Sequence, residues 1–233
     1  MVIRQRAIQA EDKQERHHAI LDAAERLLAR SRDRIANVAE VADEAGLAKG
    51  TVYLYFPSKE ELLLAVHERN IDGFFRALIE RVAGDQHVGI GDVLALTHQY
   101  IVEPPLFLPL AARCFGLMGV SVPPAAGVAF KQRMGDRLQR AGAGLERHFP
   151  ELGAGGGVAL LRHSYALIIG LWQMSAESAA HQLGCPLADV EHPLPEFNYS
   201  YPAELDRALL ALWEGSIARP AQRSAGGRRE GTP

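Results

Sequence analysis

Cysteine is nearly absent from these 233 residues, with Cys114 and Cys185 as the only two, far apart in the chain. Two cysteines make no disulfide framework, so a reducing interior is the expected setting. A secretory leader is missing as well, because the opening "MVIRQRAIQAEDKQERHH" is polar and charged throughout. The longest apolar stretch, "HSYALIIGLWQMSA" (163–176), lies between Arg162 and Glu177. It falls short of the ~20 residues that a membrane span needs. No membrane partner is expected, and the chain reads as a soluble, cytoplasmic protein.

Positive charge is not in excess: 25 Lys+Arg against 28 Asp+Glu leave a net charge of -3. That excludes a broad polycation but leaves room for a local patch. The tight paired spacing of a zinc site is lacking, since His181, Cys185 and His192, like His17 and His18, form no such pattern. The run "GAGGG" (153–157) follows no strand and reads as a connector rather than a phosphate loop. No nucleophile stands in a recognisable catalytic setting. Neither an enzyme, a metal nor a cofactor is the expected reading.

Helical periodicity is what the chain does have. Between residues 14 and 30, Ile20, Ala23, Ala24, Leu27 and Leu28 recur at steps of three and four. Asn37 with Glu40 three residues on marks a second helix start, and Gly46 ends it. A short third helix spans about 49–55. Pro57, Ser58 and Glu61 then open a long fourth helix that runs to about residue 83. Beyond it, "GDQHVGIGD" (84–92) reads as a junction, followed by helices near 93–102, 106–118, 128–149, 158–183 and 203–217. No strand pattern or repeat is evident, so the expected fold class is all-α. The expected organisation is a flexible arm (1–13), a three-helix unit (14–64) whose last connection continues to about 83, a larger helical domain (84–218) and a disordered tail (219–233).

Residues 38–56 form two short helices joined at "AGLA", the pattern of a helix-turn-helix. With Val52 and Phe56 inward, about 100° per residue turns Gly50, Thr51 and Leu54 outward, flanked by Tyr53 and Tyr55. Hydroxyls there suit phosphate oxygens, Gly50 allows close backbone approach, and Leu54 suits a thymine methyl. Lys59 sits at the start of the fourth helix, where positive charge is mildly unfavourable unless a phosphate joins it. A lone lysine is ordinarily a solvated surface residue; beside this motif the phosphate reading is the better one.

The stretch "VAEVADEAGLAKGTVYLYFPSKEELLLAV" (38–66) carries many residues at fixed spacing, and from about residue 15 to 64 the chain resembles the DNA-binding domain of the tetracycline-repressor-like (TetR) family of bacterial regulators. The resemblance implies that Asn37, Thr51, Tyr53, Tyr55 and Lys59 contact phosphates, with Lys49, Gly50 and Tyr53 against the bases. It departs at Ala48, where the family often has a serine, and at Ala39, where some members carry a longer polar residue. The partners it implies are a double-stranded DNA operator with palindromic symmetry and a second copy of the chain in a homodimer, with release on binding a small-molecule effector.

The second half is read for two roles. Ala166, Gly170, Ala176 and Ala180 are small enough for close helix approach and, with Leu209 and Trp213, are candidates for a dimer interface. Tyr100, Phe107, Phe115, Met118, Tyr165, Trp172 and Met174 are candidates for lining a cavity for a largely apolar effector. The alternative function is a helical small-molecule-binding protein that has lost operator binding. Ala39 and Ala48 favour it slightly, and the retained Lys49, Thr51, Tyr53, Tyr55 and Lys59 oppose it.

Overall fold

The apolar stripes of the sequence assemble two adjoining cores that share one helix. The computed structural model describes residues 2–30, 37–117, 121–184, 186–187, 190, 196 and 199–218, with the side chains of 2–11, 115 and 117 excepted. The tail expected at 219–233 and Met118 lie outside the described residues. Among these residues every regular element is helical, and the chain is all-α. No described helix is long and apolar enough to cross a membrane.

Helix α1 (Val2–Arg30), α2 (Val38–Ala45) and α3 (Lys49–Tyr55) pack with the first turns of α4 (Lys59–Ala83). Ile20, Ala23, Val41, Val52 and Val66 are all wholly buried between them. The segment expected as a flexible arm is instead the opening of α1, which starts at Val2 rather than near residue 14. Gly46 ends α2 with φ 66°. Its N–H bonds to the Asp43 carbonyl at 3.2 Å and that of Leu47 to Ala42 at 2.9 Å, the two-bond glycine cap that turns the chain into α3.

The larger part comprises α5 (Ile90–Thr97), a wide turn at His98–Val102, α6 (Phe107–Leu117), α7 (Pro124–His148), α8 (Gly156–Gln173), α9 (Ala176–Leu183) and α10 (Tyr201–Ala218). The helix expected over 158–183 is two helices. Ser175 breaks it: its Oγ donates to the Trp172 carbonyl (2.7 Å) and accepts from Ser178 N–H (3.2 Å). That closes α8 and caps α9 with one side chain. The core of this part holds Phe74, Leu78, Ile101, Leu145, Leu205 and Trp213 among others.

Helices α7 and α8 cross at glycines. A Cβ on Gly157 would overlap the Gly142 carbonyl, and one on Gly142 would lie 2.7 Å from the Val158 amide nitrogen. A Cβ on Gly144 would overlap Val82 of α4 in the same region. The obstacle at Gly157 is backbone, so no rotamer change relieves it. Gly157→Ala is expected to lower unfolding stability by about 1–3 kcal/mol in urea titrations. Gly91→Ala in α5, where the added methyl meets open space, is expected to be neutral or mildly stabilising.

Candidate nucleic-acid interface

Helix α3 is too short to be stable alone and is held by Val52, wholly buried, and by Phe56, 5% exposed. Anchoring that side leaves the other to solvent. Leu54 is 85% exposed and Tyr53 43%, while Lys49 and Gly50 are exposed in the first turn. Lys49 Nζ stands 5.8 Å from the Tyr53 ring centroid, a spacing that holds the ammonium over the aromatic face. Thr51 and Tyr55 are half-buried. The two tyrosines part company: the Tyr55 ring faces α1, its centroid 6.3 Å from that of His17. Ala48 caps α3 without a side-chain hydrogen bond.

Both neighbouring helix starts are capped by side chains. Asn37 Oδ1 accepts from the amides of Ala39 (2.9 Å) and Glu40 (3.0 Å), and its Nδ2 donates to Glu40 Oε1 (2.7 Å). Ser58 Oγ accepts from Glu61 N–H at 3.1 Å. Lys59 follows, half-buried, with no ion-pair partner among the described residues; Glu60 and Glu61 share its turn. Lys49, Gly50, Tyr53, Leu54 and Lys59 therefore remain accessible to a partner, while Asn37 is already engaged as a cap.

Charged groups that sequence reasoning passed over brace this unit and fasten it to the rest. Glu44 of α2 pairs with Arg26 (2.8 Å) and Arg30 of α1, and these guanidinium bonds hold its carboxyl below the ordinary range. Arg69 of α4 reaches Asp22 (2.6 Å) and Glu25 of α1. Arg133 of α7 grips both oxygens of Glu68 at 2.7 Å, and Arg137 bonds Glu68 (2.9 Å) and Asp72 (3.1 Å). Burial alone would raise the Glu68 pKa, but the two guanidiniums outweigh it and the carboxyl titrates below its usual value. The missed signal was the spacing of Glu68 and Asp72 with that of Arg133 and Arg137, which puts each pair on one helix face.

The larger part holds a cavity of about 370 Å³ between α4, α5, α6, α7, α8 and α10, with Ile101 of the wide turn also on its wall. Of the expected lining residues that the structure describes, only Tyr165 belongs to it. Phe107 is 1% exposed and packs behind the wall, its ring centroid 5.5 Å from that of His67; Tyr100 packs on Gly73. Trp172 is buried beside His181, and Met174 is half exposed. Met118 and the Phe115 side chain are outside the described set. Leu209 and Trp213, expected at a dimer face, instead line the cavity at 2% and 1% exposure. Ala176 and Ala180 are buried within the chain, whereas Ala166 is exposed and Gly170 half-exposed on α8.

Sequence reasoning missed His67, which is 3% exposed on the α4 wall of the cavity. Its Nε2 lies 3.1 Å from Tyr165 Oη, and burial drives its pKa down to about 4, so the ring is neutral at physiological pH. His17, beside Tyr55 and Phe56, is also pushed down, by burial first and then by His18 and Arg69.

Comparison with known proteins agrees with this geometry. Residues 20–66 match the bacterial regulatory proteins of the tetR family, and residues 68–220 match the tetracyclin repressor-like C-terminal domain. The fatty acid metabolism regulator protein of Bacillus subtilis is 31% identical over 70 residues, covering 30% of this chain and 36% of its own. An uncharacterized HTH-type transcriptional regulator of the same organism, YfiR, is 35% identical over 68 residues, 29% of this chain and 33% of its own. The chain thus spans about a third of the length of these curated relatives. A solved structure from Mesorhizobium loti assigned to the TetR family superposes with a TM-score of 0.53 at 18% identity, covering 88% of this chain and 96% of that one. At that identity it shows the fold alone.

The neutral state of His67 has a measurable consequence. Its folded pKa lies below the ordinary 6.5, so the unfolded chain binds the proton first and stability falls as pH drops from about 6.5 toward 4. The loss is on the order of 3 kcal/mol at about 1.4 kcal/mol per unit. His17 shares the direction, so the contrast with His67→Leu isolates the buried ring. Urea titrations at pH 7 and pH 4.5 should show a clearly smaller loss for that variant.

Proposed function

Because the chain belongs to the tetracycline-repressor-like family of bacterial regulatory proteins, we propose that it is a transcriptional regulator, a homodimeric repressor that reads a palindromic operator through α3 and releases it when a small, largely apolar molecule occupies its cavity. The observation that carries this reading is the outer face of α3: a helix anchored by Val52 and Phe56 that still presents Leu54 at 85% exposure and Tyr53 at 43%. A packed monomer has no use for such a face. A major groove has one, because an α-helix fits its width and base edges are distinguished there.

The roles follow from position. Lys59 and the amides at the start of α4 meet a phosphate, where the helix dipole and the ammonium act with the same sign. Thr51 and Tyr53 give hydroxyls to neighbouring phosphates, and Tyr55, half-buried with its ring toward α1, adds its own at the margin. Lys49, Gly50 and Leu54 lie against base edges. One such helix makes few base contacts, and a two-fold partner doubles them across half-sites ~34–36 Å apart. Ala166 and Gly170 on α8, with Leu210 on α10 at 40% exposure, supply the surface that a two-fold mate needs.

Effector response rests on α4. The helix lines the cavity through His67, Ile71, Phe74 and Phe75, and it begins at Lys59 beside α3. A ligand that fits one setting of this wall better than another shifts the spacing of the two reading heads.

Selection of bound sequences from random duplexes by the purified protein is expected to recover an inverted repeat; no enrichment would favour a ligand-binding protein without operator binding. Lys59→Ala is expected to weaken binding to all sequences alike and to flatten the salt slope by about one unit, read by titration at several salt concentrations. Substitution of Lys49 or Leu54 is expected to change the preferred sequence instead. An unchanged preference would place those side chains away from the bases.

A further inference from the structure

The inner wall of the cavity offers a ligand almost nothing polar. Thr97 Oγ1 donates to the Val93 carbonyl at 2.8 Å. Ser164 Oγ donates to the Leu160 carbonyl (2.9 Å) while accepting from Trp213 Nε1 (3.0 Å). Tyr165 Oη shares a hydrogen bond with His67 Nε2 at 3.1 Å, and His67 Nδ1 is sealed within the α4 wall. A polar head brought inside would give up water and find no partner in exchange. The apolar part of a ligand therefore belongs in the hollow, and any polar part belongs at the mouth.

The mouth is located by the lining residues that keep contact with solvent. Apart from Leu94 they all stand on two helices: Lys131, Met134, Gly135 and Leu138 on α7, and Arg162 and Tyr165 on α8. Gly135 follows Lys131 by one helical turn on the same face, and a Cβ there would meet nothing within 4 Å. The α7 edge is thus left open beside the lysine. Charge at this mouth has one sign: Lys131 and Arg162 are both exposed, and no aspartate or glutamate is among the described lining residues. Neither cation has an ion-pair partner among the described residues, whereas Arg133 and Arg137 of α7 are both held by Glu68.

We propose that this cavity takes a single-chain amphiphile with an anionic head, its hydrocarbon tail in the hollow and its carboxylate met by Lys131 and Arg162 at the mouth. The proposal rests on the effector-binding part of the function above and adds the sign and the place of the ligand's charge. A volume of about 370 Å³ suits a small molecule, whose sites span ~300–1,000 Å³. Each methylene buried strengthens binding by roughly fourfold, so the tail supplies the affinity. The head stays hydrated at the mouth, and no charge has to be buried. Two unpaired cations there attract an anion and repel an ammonium of similar tail, so the mouth contributes selection by sign.

The test uses the full chain with decanoate, decan-1-ol and decyltrimethylammonium, at low salt and below their micellar concentrations. Binding is read by tryptophan fluorescence, since Trp213 lines the cavity. The unaltered protein is expected to bind decanoate at least about fivefold more tightly than the ammonium, since an exposed charge pair is worth a factor of about two to five. Replacing both cations, Lys131→Gln with Arg162→Gln, is expected to weaken decanoate about fivefold and to leave decan-1-ol within about twofold. Both side chains are exposed, so the fold is not at stake, and retained binding of the alcohol shows the cavity intact. Arg140→Gln, at an exposed α7 position off the cavity wall, is expected to change no ligand by more than about twofold. Equal binding of anion and ammonium, equal losses of decanoate and decan-1-ol in the double variant, or the same decanoate loss from Arg140→Gln would overturn the anionic assignment while leaving the effector pocket standing. Failure of all three ligands to bind would overturn the pocket itself. Operator selection, measured separately, is untouched by either result.

Discussion

Helix α4 belongs to two cores at once, and the rest of the molecule is arranged around that constraint. Leu62, Leu63, Leu64 and Val66 bury into the cluster that holds α2 and α3, while Ile71, Phe74, Phe75, Leu78 and Val82 bury into the cluster that holds α8 and α10. Close packing on both sides means that the helix moves as a unit or not at all. Where the two clusters meet, its surface turns polar. Arg69 ties it to Asp22 and Glu25 of α1, and Glu68 and Asp72 tie it to Arg133 and Arg137 of α7. Bidentate arginine pairs are directional, so they set the rotation of α4 as well as its distance from its neighbours.

Glycine places the cavity. α7 is drawn against α8 at Gly142 and Gly157, and against α4 at Gly144, because any side chain there would meet a neighbouring helix. Away from that pinned end lies the cavity, lined by residues within 130–138 of α7 and 161–168 of α8. There the contact between α4 and α7 passes to the arginine pairs with Glu68 and Asp72.

What could be read in the sequence was what local interactions decide. Asn37, Gly46 and Ser58 each act within a few residues of themselves, and the bounds of α2, α3 and α4 followed from them. Val52 and Phe56 were legible as the inward side of α3 because period and polarity agreed. The break at Ser175 was hidden by continuing apolar periodicity through Ala176 and Ala180, although the serine carried a cap signal of its own. The cavity was not legible, for a different reason. Periodicity says that Trp213 has a buried side but not whether it meets a helix, a partner or a hollow, and six helices must assemble before the hollow exists. Counting aromatics found core instead, as at Phe107, and passed over His67, a buried histidine among them.

Magnitudes bound how such a hollow can speak to the reading head. Weakening operator binding by about a hundredfold requires a ligand to favour one setting of the dimer by about 2.7 kcal/mol. One hydrogen bond between a ligand and the wall supplies about 1 kcal/mol of this at most, and only if it is lost in the other setting. The remaining ~1.7 kcal/mol corresponds to roughly 70 Å² of apolar contact made in one setting and not in the other. The apolar residues of α4 on the cavity wall, Leu64, Ile71, Phe74 and Phe75, are large enough for a difference of that size. For any such ligand, apolar contact with α4 therefore has to supply most of the difference between the two settings. A ligand held by polar contacts alone, without touching those side chains, would occupy the site and leave the surface of α3 where it was.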